Sequence, residues 1–309
     1  MSGSQPTDRQ RLIGGLLGVI VGDAIGVPWE FQPANTAPRP TPAVGFQTFE
    51  QPPGTWSDDG AMTLALLDSI LERGWDLDDQ GRRFLAWFDD AIYTATGVCF
   101  DAGFATTAAL DRIRAGTPAS RAGSSGDRSQ SNGGLMRILP VALTGRELSD
   151  AELVARAEAG TRVTHAHPRV VVASAIYVLV ARALLHGDAP RPAIEWAVST
   201  LDDLAADDPE RRALIASCLE HKEGLGHAYV ADSLLSAFTA LEQGSSFRDV
   251  VELAISYGHD TDTTAAIAGG LAGIQYGAAA VPDEWMEALR AAPGWFAVDT
   301  LAHRLGDRG

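Results

Sequence analysis

The sequence predicts an all-α fold, a single compact domain of many helices. Three observations carry that expectation. Of the 309 residues 46% are hydrophobic and only 7% aromatic, so Ala, Leu and Val must fill the core, a mixture that favours helices over sheets. No stretch sustains the apolar/polar alternation of a half-buried strand. No internal repeat or linker divides the chain, so residues 1–309 read as one unit with a core from about 12 to 291.

The elements follow in order. Residues 1–10 are polar and read as a frayed terminus. Residues 12–26 read as a helix rich in small side chains. From 32 to 54, Pro33, Pro38, Pro40, Pro42, Pro52 and Pro53 mark a long irregular loop, a length usually reserved for functional or mobile segments. Helices are expected at about 58–73, where Met62, Leu66, Ser69 and Ile70 share a face, then at 78–94 and 104–115. A Gly- and Ser-rich stretch, 117–134, runs into the apolar segment Leu135 to Leu143. Further helices are expected at 149–163, 169–186, 190–206, 209–220, 230–243, 247–257 and 262–279, with a last one near 283–291.

Acidic residues outnumber basic ones, 40 to 24, for a net charge of −16. Such a field keeps a protein soluble and repels nucleic-acid backbones and anionic membranes, so neither is expected as a partner. An anionic nucleotide would need metals or helix N-termini to offset it. Two apolar runs imitate membrane signals. Leu12 to Val21 follows Arg9 and Arg11 but is diluted by glycines and closed by Asp23, without a convincing cleavage site. Val170 to Leu185 is shorter than the roughly 20 residues of a bilayer span and suits a buried helix. Cys99 and Cys218 lie in no metal-like spacing and fit a reducing compartment; a cytoplasmic location is expected.

The chemistry concentrates in two acidic clusters, Ser57-Asp58-Asp59 and Asp260-Thr261-Asp262-Thr263, each where a loop becomes a helix. Either one alone is an ordinary helix cap. Four carboxylates at two helix starts exceed what capping needs, and hard oxygen ligands from distant segments suit a pair of Mg²⁺ or Mn²⁺ ions. Behind the second cluster Ala265, Ala268, Gly269, Ala272 and Gly273 are small at helical spacing, so another helix backbone can approach closely.

Five segments occur in a telling order: Gly22-Asp23-Ala24-Ile25-Gly26 with Glu30; Trp56-Ser57-Asp58-Asp59; Ser131-Asn132-Gly133-Gly134-Leu135-Met136-Arg137; Thr164-His165-Ala166-His167-Pro168; and Gly258-His259-Asp260-Thr261-Asp262-Thr263. From about Leu12 to Val281 the chain resembles the ADP-ribosylglycohydrolase family, which includes dinitrogenase-reductase-activating glycohydrolases and ADP-ribosyl-arginine and -serine hydrolases. The resemblance implies an all-α fold with a binuclear Mg²⁺ or Mn²⁺ centre. It implies Ser57, Asp58, Asp59, Asp260, Asp262 and Thr263 as the metal shell and Glu30 beside the distal ribose. Asp101, in Asp101-Ala102-Gly103-Phe104, matches a segment carrying a catalytic aspartate.

Glu30, Asp59 and Asp101 are thus the candidate acids and bases. Ser131, Asn132, Gly133 and Gly134 would cradle a pyrophosphate, with Met136 beside them. Without the resemblance they are an ordinary Gly-rich loop. His165 joins the substrate candidates, although a helix cap before Pro168 is the plainer use of a histidine here. Tyr229 is a candidate to stack on adenine or simply to pack at a helix start. Gly60 and His259 depart from residues frequent in the family, Thr and Gly; an imidazole at 259 could contact substrate.

The expected activity is metal-dependent hydrolysis of the bond between the distal ribose of ADP-ribose and an acceptor, either a protein side chain or a small conjugate. The alternatives are another binuclear metal hydrolase acting on a nucleotide or phosphate ester, and a non-enzymatic ADP-ribose-binding member.

Overall fold

Glycines spaced by four residues set the centre of the molecule. Gly14, Gly18 and Gly22 lie along one face of helix α1 (Asp8–Gly26), and a Cβ at any of them would overlap a backbone carbonyl of helix α12 (Thr261–Tyr276). The overlapped carbonyls are those of Gly273, Gly269 and Ala265, so the two helices run antiparallel with backbones in contact. The partner that the small residues of 265–273 called for is therefore α1. Because the seam is antiparallel, the C-terminal end of α1 meets the N-terminal end of α12.

The computed structural model describes residues 5–36, 44–220 and 225–309. Its described residues form an all-α fold, with two isolated bridges, Ser124 to His165 and Ser131 to Tyr229, as the only β pairing. Between α1 and α12 come α2 (Asp58–Arg73), α3 (Leu77–Asp90), α4 (Phe104–Arg114), α5 (Pro140–Thr144), α6 (Asp150–Arg162), α7 (Pro168–Leu185), α8 (Pro190–Leu204), α9 (Pro209–Leu219), α10 (Val230–Gln243) and α11 (Phe247–Ser256). Then come α13 (Asp283–Arg290) and α14 (Trp295–Gly306). Both apolar runs are core helices: the most apolar windows of the α1 segment and of α7 are 83% and 89% buried. Tyr177 of α7 donates from its hydroxyl to the Ile267 carbonyl at 3.1 Å, tying α7 to α12.

The differences from expectation have local causes. Residues 8–10 are helical rather than frayed, because Thr7 and Gln10 form a reciprocal capping box; residues 1–4 lie outside the described residues. Helix α3 stops at Asp90 instead of 94, where Ala91 turns left-handed at φ 55°. Helix α12 stops at Tyr276 instead of 279, before Gly277 at φ 79°. Helix α14 was missing from the expected set although Val298, Leu301, Ala302 and Leu305, all buried, carry its 3.6-residue period. Of the Pro-rich loop, Pro38, Pro40 and Pro42 fall outside the described residues, while Pro33, Pro52 and Pro53 lie in non-helical chain.

Candidate active site

The chain brings three helix ends together. Asp23 sits in the last turn of α1, and its carboxylate accepts from the backbone N–H of Ser57 at 2.9 Å and of Gly60 at 2.7 Å. Asp23 therefore satisfies the start of α2, a task that a helix N-terminus ordinarily gives to its own cap residue. Ser57 stands at that N-cap position without a side-chain capping bond, and its Oγ lies 3.3 Å from Asp59 Oδ2. Asp260 stands at the N-cap of α12 and likewise does not cap; its Oδ2 accepts from Asn132 Nδ2 at 2.8 Å. The simple capping account of the two clusters thus fails at both N-caps.

Two triplets of carboxylates result. Asp23, Asp59 and Asp262 place one oxygen each within 4.8 Å of one another, and so do Glu30, Asp260 and Asp262. Asp262 belongs to both, and Thr263 Oγ1 bridges the clusters at 3.4 Å from Asp59 Oδ2. Asp59 and Asp262 are fully buried and Glu30 is 4% exposed. Glu30 Oε2, Asp59 Oδ1 and Asp262 Oδ2 are buried without a hydrogen-bond partner.

Electrostatics explains what these atoms require. Burial, then mutual repulsion, holds Asp58, Asp59 and Asp262 well above the usual carboxylate range. The same causes push Glu30 up to about 10 and Asp101 up to about 7. Asp23 is pushed up to about 7 by burial, against the pull of the Ser57 and Gly60 N–H groups. Among the described residues no Lys or Arg offsets these acids. Orphaned, converging carboxylate oxygens without a counter-cation fit hard divalent ions.

The cluster forms one wall of a cleft of about 900 Å³. Glu30, Asp58, Asp101, Asp260 and Thr263 face it, whereas Ser57, Asp59 and Asp262 do not line it. Asp101 is held left-handed at φ 57°, a conformation costly for an aspartate and common at functional sites. Ser131, Asn132, Gly133, Met136 and His165 also line the cleft, with the exposed Arg128 as the single Lys or Arg among its described lining residues. Phe104, 88% exposed, and Phe31, 66% exposed, stand at the rim.

Several expected site residues lie elsewhere. Gly134 does not line the cleft; a Cβ there would meet Thr161, His165 and Val170. Tyr229 does not line it either, and its ring lies 5.9 Å beneath the Arg169 guanidinium. His259 is exposed, left-handed at φ 61°, and stacks on His227 with ring centroids 4.2 Å apart. Its recorded ring contact is thus with His227, and it does not line the cleft. His167 is the N-cap of α7, accepting from the Arg169 N–H at 3.2 Å. Gly60 has a local use: a Cβ there would meet Trp56 Cδ1 at 2.8 Å and Asp23 Oδ2 at 3.0 Å.

Asp23 is the residue whose part the sequence reading missed. It stands in the Gly22-Asp23-Ala24-Ile25-Gly26 segment of the resemblance and closes an apolar run, but neither setting marks it as a ligand. In the fold it is a buried member of the carboxylate cluster.

Comparison with known proteins agrees with the all-α fold. The ADP-ribosylglycohydrolase family model matches residues 4–309. The chain is 30% identical to the ADP-ribosylarginine hydrolase Tri1 of Pseudomonas putida (strain GB-1), over 98% of this chain and 79% of that one. It is 27% identical to the ADP-ribosyl-[dinitrogen reductase] glycohydrolase of Rhodospirillum rubrum, over 92% of each. A solved structure described as an ADP-ribosylglycohydrolase-related protein complex superposes with a TM-score of 0.79 at 30% identity, covering 97% of this chain and 98% of that one. With a match across nearly its whole length and a shared all-α architecture, the chain belongs to the ADP-ribosylglycohydrolase family.

Proposed function

We propose that the protein releases ADP-ribose from a modified protein side chain, with arginine the first acceptor to test, using two Mg²⁺ or Mn²⁺ ions. The observation that carries this is the pair of carboxylate triplets sharing Asp262 beside a cleft that Ser131, Gly133 and Arg128 also line. Arginine comes first because the relative at 30% identity is an ADP-ribosylarginine hydrolase. Asp23, Asp59 and Asp262 would hold one ion and Glu30, Asp260 and Asp262 the other, with Thr263 beside them. When bound, such ions can orient the ribose hydroxyls and lower the pKa of a water.

The protein's own groups have distinct parts. Asp101 faces the cleft, belongs to neither carboxylate triplet and is the group placed to move a proton at the distal ribose C1 or the leaving atom, while Glu30, also facing the cleft, serves as a ligand. Asp59, behind the wall, is a ligand in this reading rather than a base. Asn132 steadies Asp260 through its 2.8 Å bond. Ser131, Gly133 and Arg128 would receive the pyrophosphate. Tyr229 and His259, off the cleft, take no direct part.

The test is ADP-ribose release from arginine-linked, serine-linked and small conjugates, with Mg²⁺, with Mn²⁺ and with chelator. Release from the arginine linkage that stops with chelator supports the reading. Hydrolysis of simple phosphate esters with no ADP-ribose release refutes it, and activity indifferent to chelator refutes the metals.

Two further outcomes are expected. A Cβ at Gly133 would sit 2.9 Å from His165 Cε1. Gly133→Val should therefore weaken ADP-ribose binding at least about 10-fold, the loss of one good contact or more; unchanged affinity by calorimetry removes the cradle. The second outcome concerns pH. Asp23, Asp101 and Glu30 have folded-state values above their unfolded ones, so the metal-free fold holds protons that the unfolded chain releases. That stability is fully present below the unfolded carboxyl range near ~4 and is lost as pH rises through about 7 for Asp23 and Asp101 and through about 10 for Glu30. The gap in melting temperature between excess Mg²⁺ and chelator should widen from acid to mildly alkaline pH. A gap that is flat or narrows with pH contradicts it.

A further inference from the structure

We propose that buried Arg137 is a positioning residue that fixes the tautomer of His165 through Thr164 and so makes the Ser131 hydroxyl a hydrogen-bond donor into the cleft. The ligand anion in this assignment is the pyrophosphate of the function proposed above, and on that point it rests on that reading.

The chain of contacts is short and directional. Arg137 Nη2 donates to Thr164 Oγ1 at 2.7 Å and to the Gly160 carbonyl at 3.3 Å. Thr164 Oγ1 lies 2.9 Å from His165 Nδ1, and His165 Nε2 lies 3.1 Å from Ser131 Oγ. Ser131 lines the cleft.

A guanidinium can only donate, which removes the ambiguity of the hydroxyls and the imidazole downstream. Thr164 Oγ1 accepts from Arg137, so its own hydrogen is available. Among the described residues, His165 Nδ1 is the one acceptor that this hydroxyl is recorded to reach. A threonine hydroxyl otherwise turns back to the carbonyl four residues earlier, here Gly160. Arg137 already donates to that carbonyl through the same nitrogen. Nδ1 is then an acceptor, and the ring proton of the neutral imidazole belongs on Nε2. That N–H donates to Ser131 Oγ, whose hydrogen is left to point at a ligand oxygen.

The surroundings keep the relay neutral and rigid. Burial, then the nearby Arg137 charge, pushes His165 down to about 3, so the ring carries one proton at working pH. Its Cε1–Nε2 edge packs on the Gly133 backbone, where any Cβ would come within 2.9 Å of it. Arg137 itself is fully buried over the Phe84 ring at 4.5 Å, with Nε and Nη1 unpaired and no carboxylate among its recorded partners. Burying a cation on such terms is destabilising, and an apolar side chain of similar volume would ordinarily serve a core better. The relay is a use for it that packing is not.

The experiment is ¹⁵N NMR on the ligand-free protein, where two-bond ¹⁵N–¹H correlations report which ring nitrogen is protonated. The His165 signals are assigned by their loss in His165→Gln. The expected result is the Nε2–H form in the native protein. Thr164→Val and Arg137→Met should each lose that single form, while Thr164→Ser and Arg137→Lys, which keep the hydroxyl and the donor, retain it. ADP-ribose binding should weaken about 5–10-fold in Thr164→Val and recover to within about twofold in Thr164→Ser. An Nδ1–H ring or an imidazolium in the native protein overturns the proposal without any variant, and so does a Thr164→Val ring that keeps Nε2–H. If native protein shows Nε2–H but does not bind ADP-ribose, the function reading fails while the relay stands.

Discussion

Asp262→Asn is expected to make the metal-free protein more stable and to abolish both its response to divalent cations and its activity. The two effects have opposite signs and one cause. Asp262 contributes to both carboxylate triplets and is fully buried, with Oδ2 unpartnered. Burial first, then the charges of Glu30, Asp101, Asp260 and Asp59, hold it well above the usual carboxylate range. An amide has the same shape, keeps the 2.8 Å bond that Oδ1 accepts from the Thr263 N–H, and presents N–H donors to neighbouring carboxylates. Removing the charge relieves repulsion, and each kcal/mol relieved should raise the melting temperature by about 2–4 °C. With Mg²⁺ or Mn²⁺ the order reverses, because native protein gains the free energy of binding and the variant does not. Loss of ADP-ribose release should exceed about 100-fold, the upper range for residues that merely support a metal ligand. Thermal melts in chelator and in excess Mg²⁺ decide the matter. A variant less stable than native protein in chelator, or one still stabilised by Mg²⁺, contradicts the assignment of Asp262 as the shared ligand.

The contrast between Asp262 and Asp23 marks how far the sequence alone could reach. Asp262 was legible because it stands in a dense run of oxygen ligands at a helix start. Asp23 stands singly among apolar residues, and nothing local distinguishes it from a helix-ending acid. Its part depends on the antiparallel seam, which aims the end of α1 at the start of α2, a relation between residues 34 and 37 positions apart. The helices were legible for the reason α14 should have been: apolar positions repeat at 3.6 residues wherever one face is buried. Helix ends were less so, since Ala91 adopts a left-handed cap that composition does not foretell. Tyr229 looked like a ligand contact as an aromatic able to stack on adenine, and His259 as an imidazole next to the acidic cluster. In the fold each has another partner, the Arg169 guanidinium and the His227 ring.

The seam between α1 and α12 also yields the other large effect, through a pair of variants that share a defect and differ in place. Gly14→Ala and Gly22→Ala each put a methyl into a backbone carbonyl of α12, that of Gly273 and that of Ala265. Alanine improves helix propensity by about 1 kcal/mol over glycine, which works against the expected loss. Overpacking costs about 1–3 kcal/mol where side chains can shift, and here the obstacle is backbone, so the helices themselves must part. A net loss of about 2 kcal/mol or more is expected for each variant. Only Gly22 lies next to the site: Asp23 follows it, and at the next step of the seam a Cβ on Gly26 would overlap Asp262 Cα. Parting the helices at Gly22 moves Asp23 away from Asp262 and splits the first triplet. Parting them at Gly14, at the opposite end of α1, leaves that triplet together. Gly14→Ala should therefore melt earlier yet keep native Mg²⁺ affinity, while Gly22→Ala should melt earlier and bind Mg²⁺ at least about 10-fold more weakly. Calorimetric Mg²⁺ titration below the melting range separates them. Equal loss of Mg²⁺ affinity in both would mean that the seam holds the site only by keeping the protein folded, and not by fixing the distance between its two acidic ends.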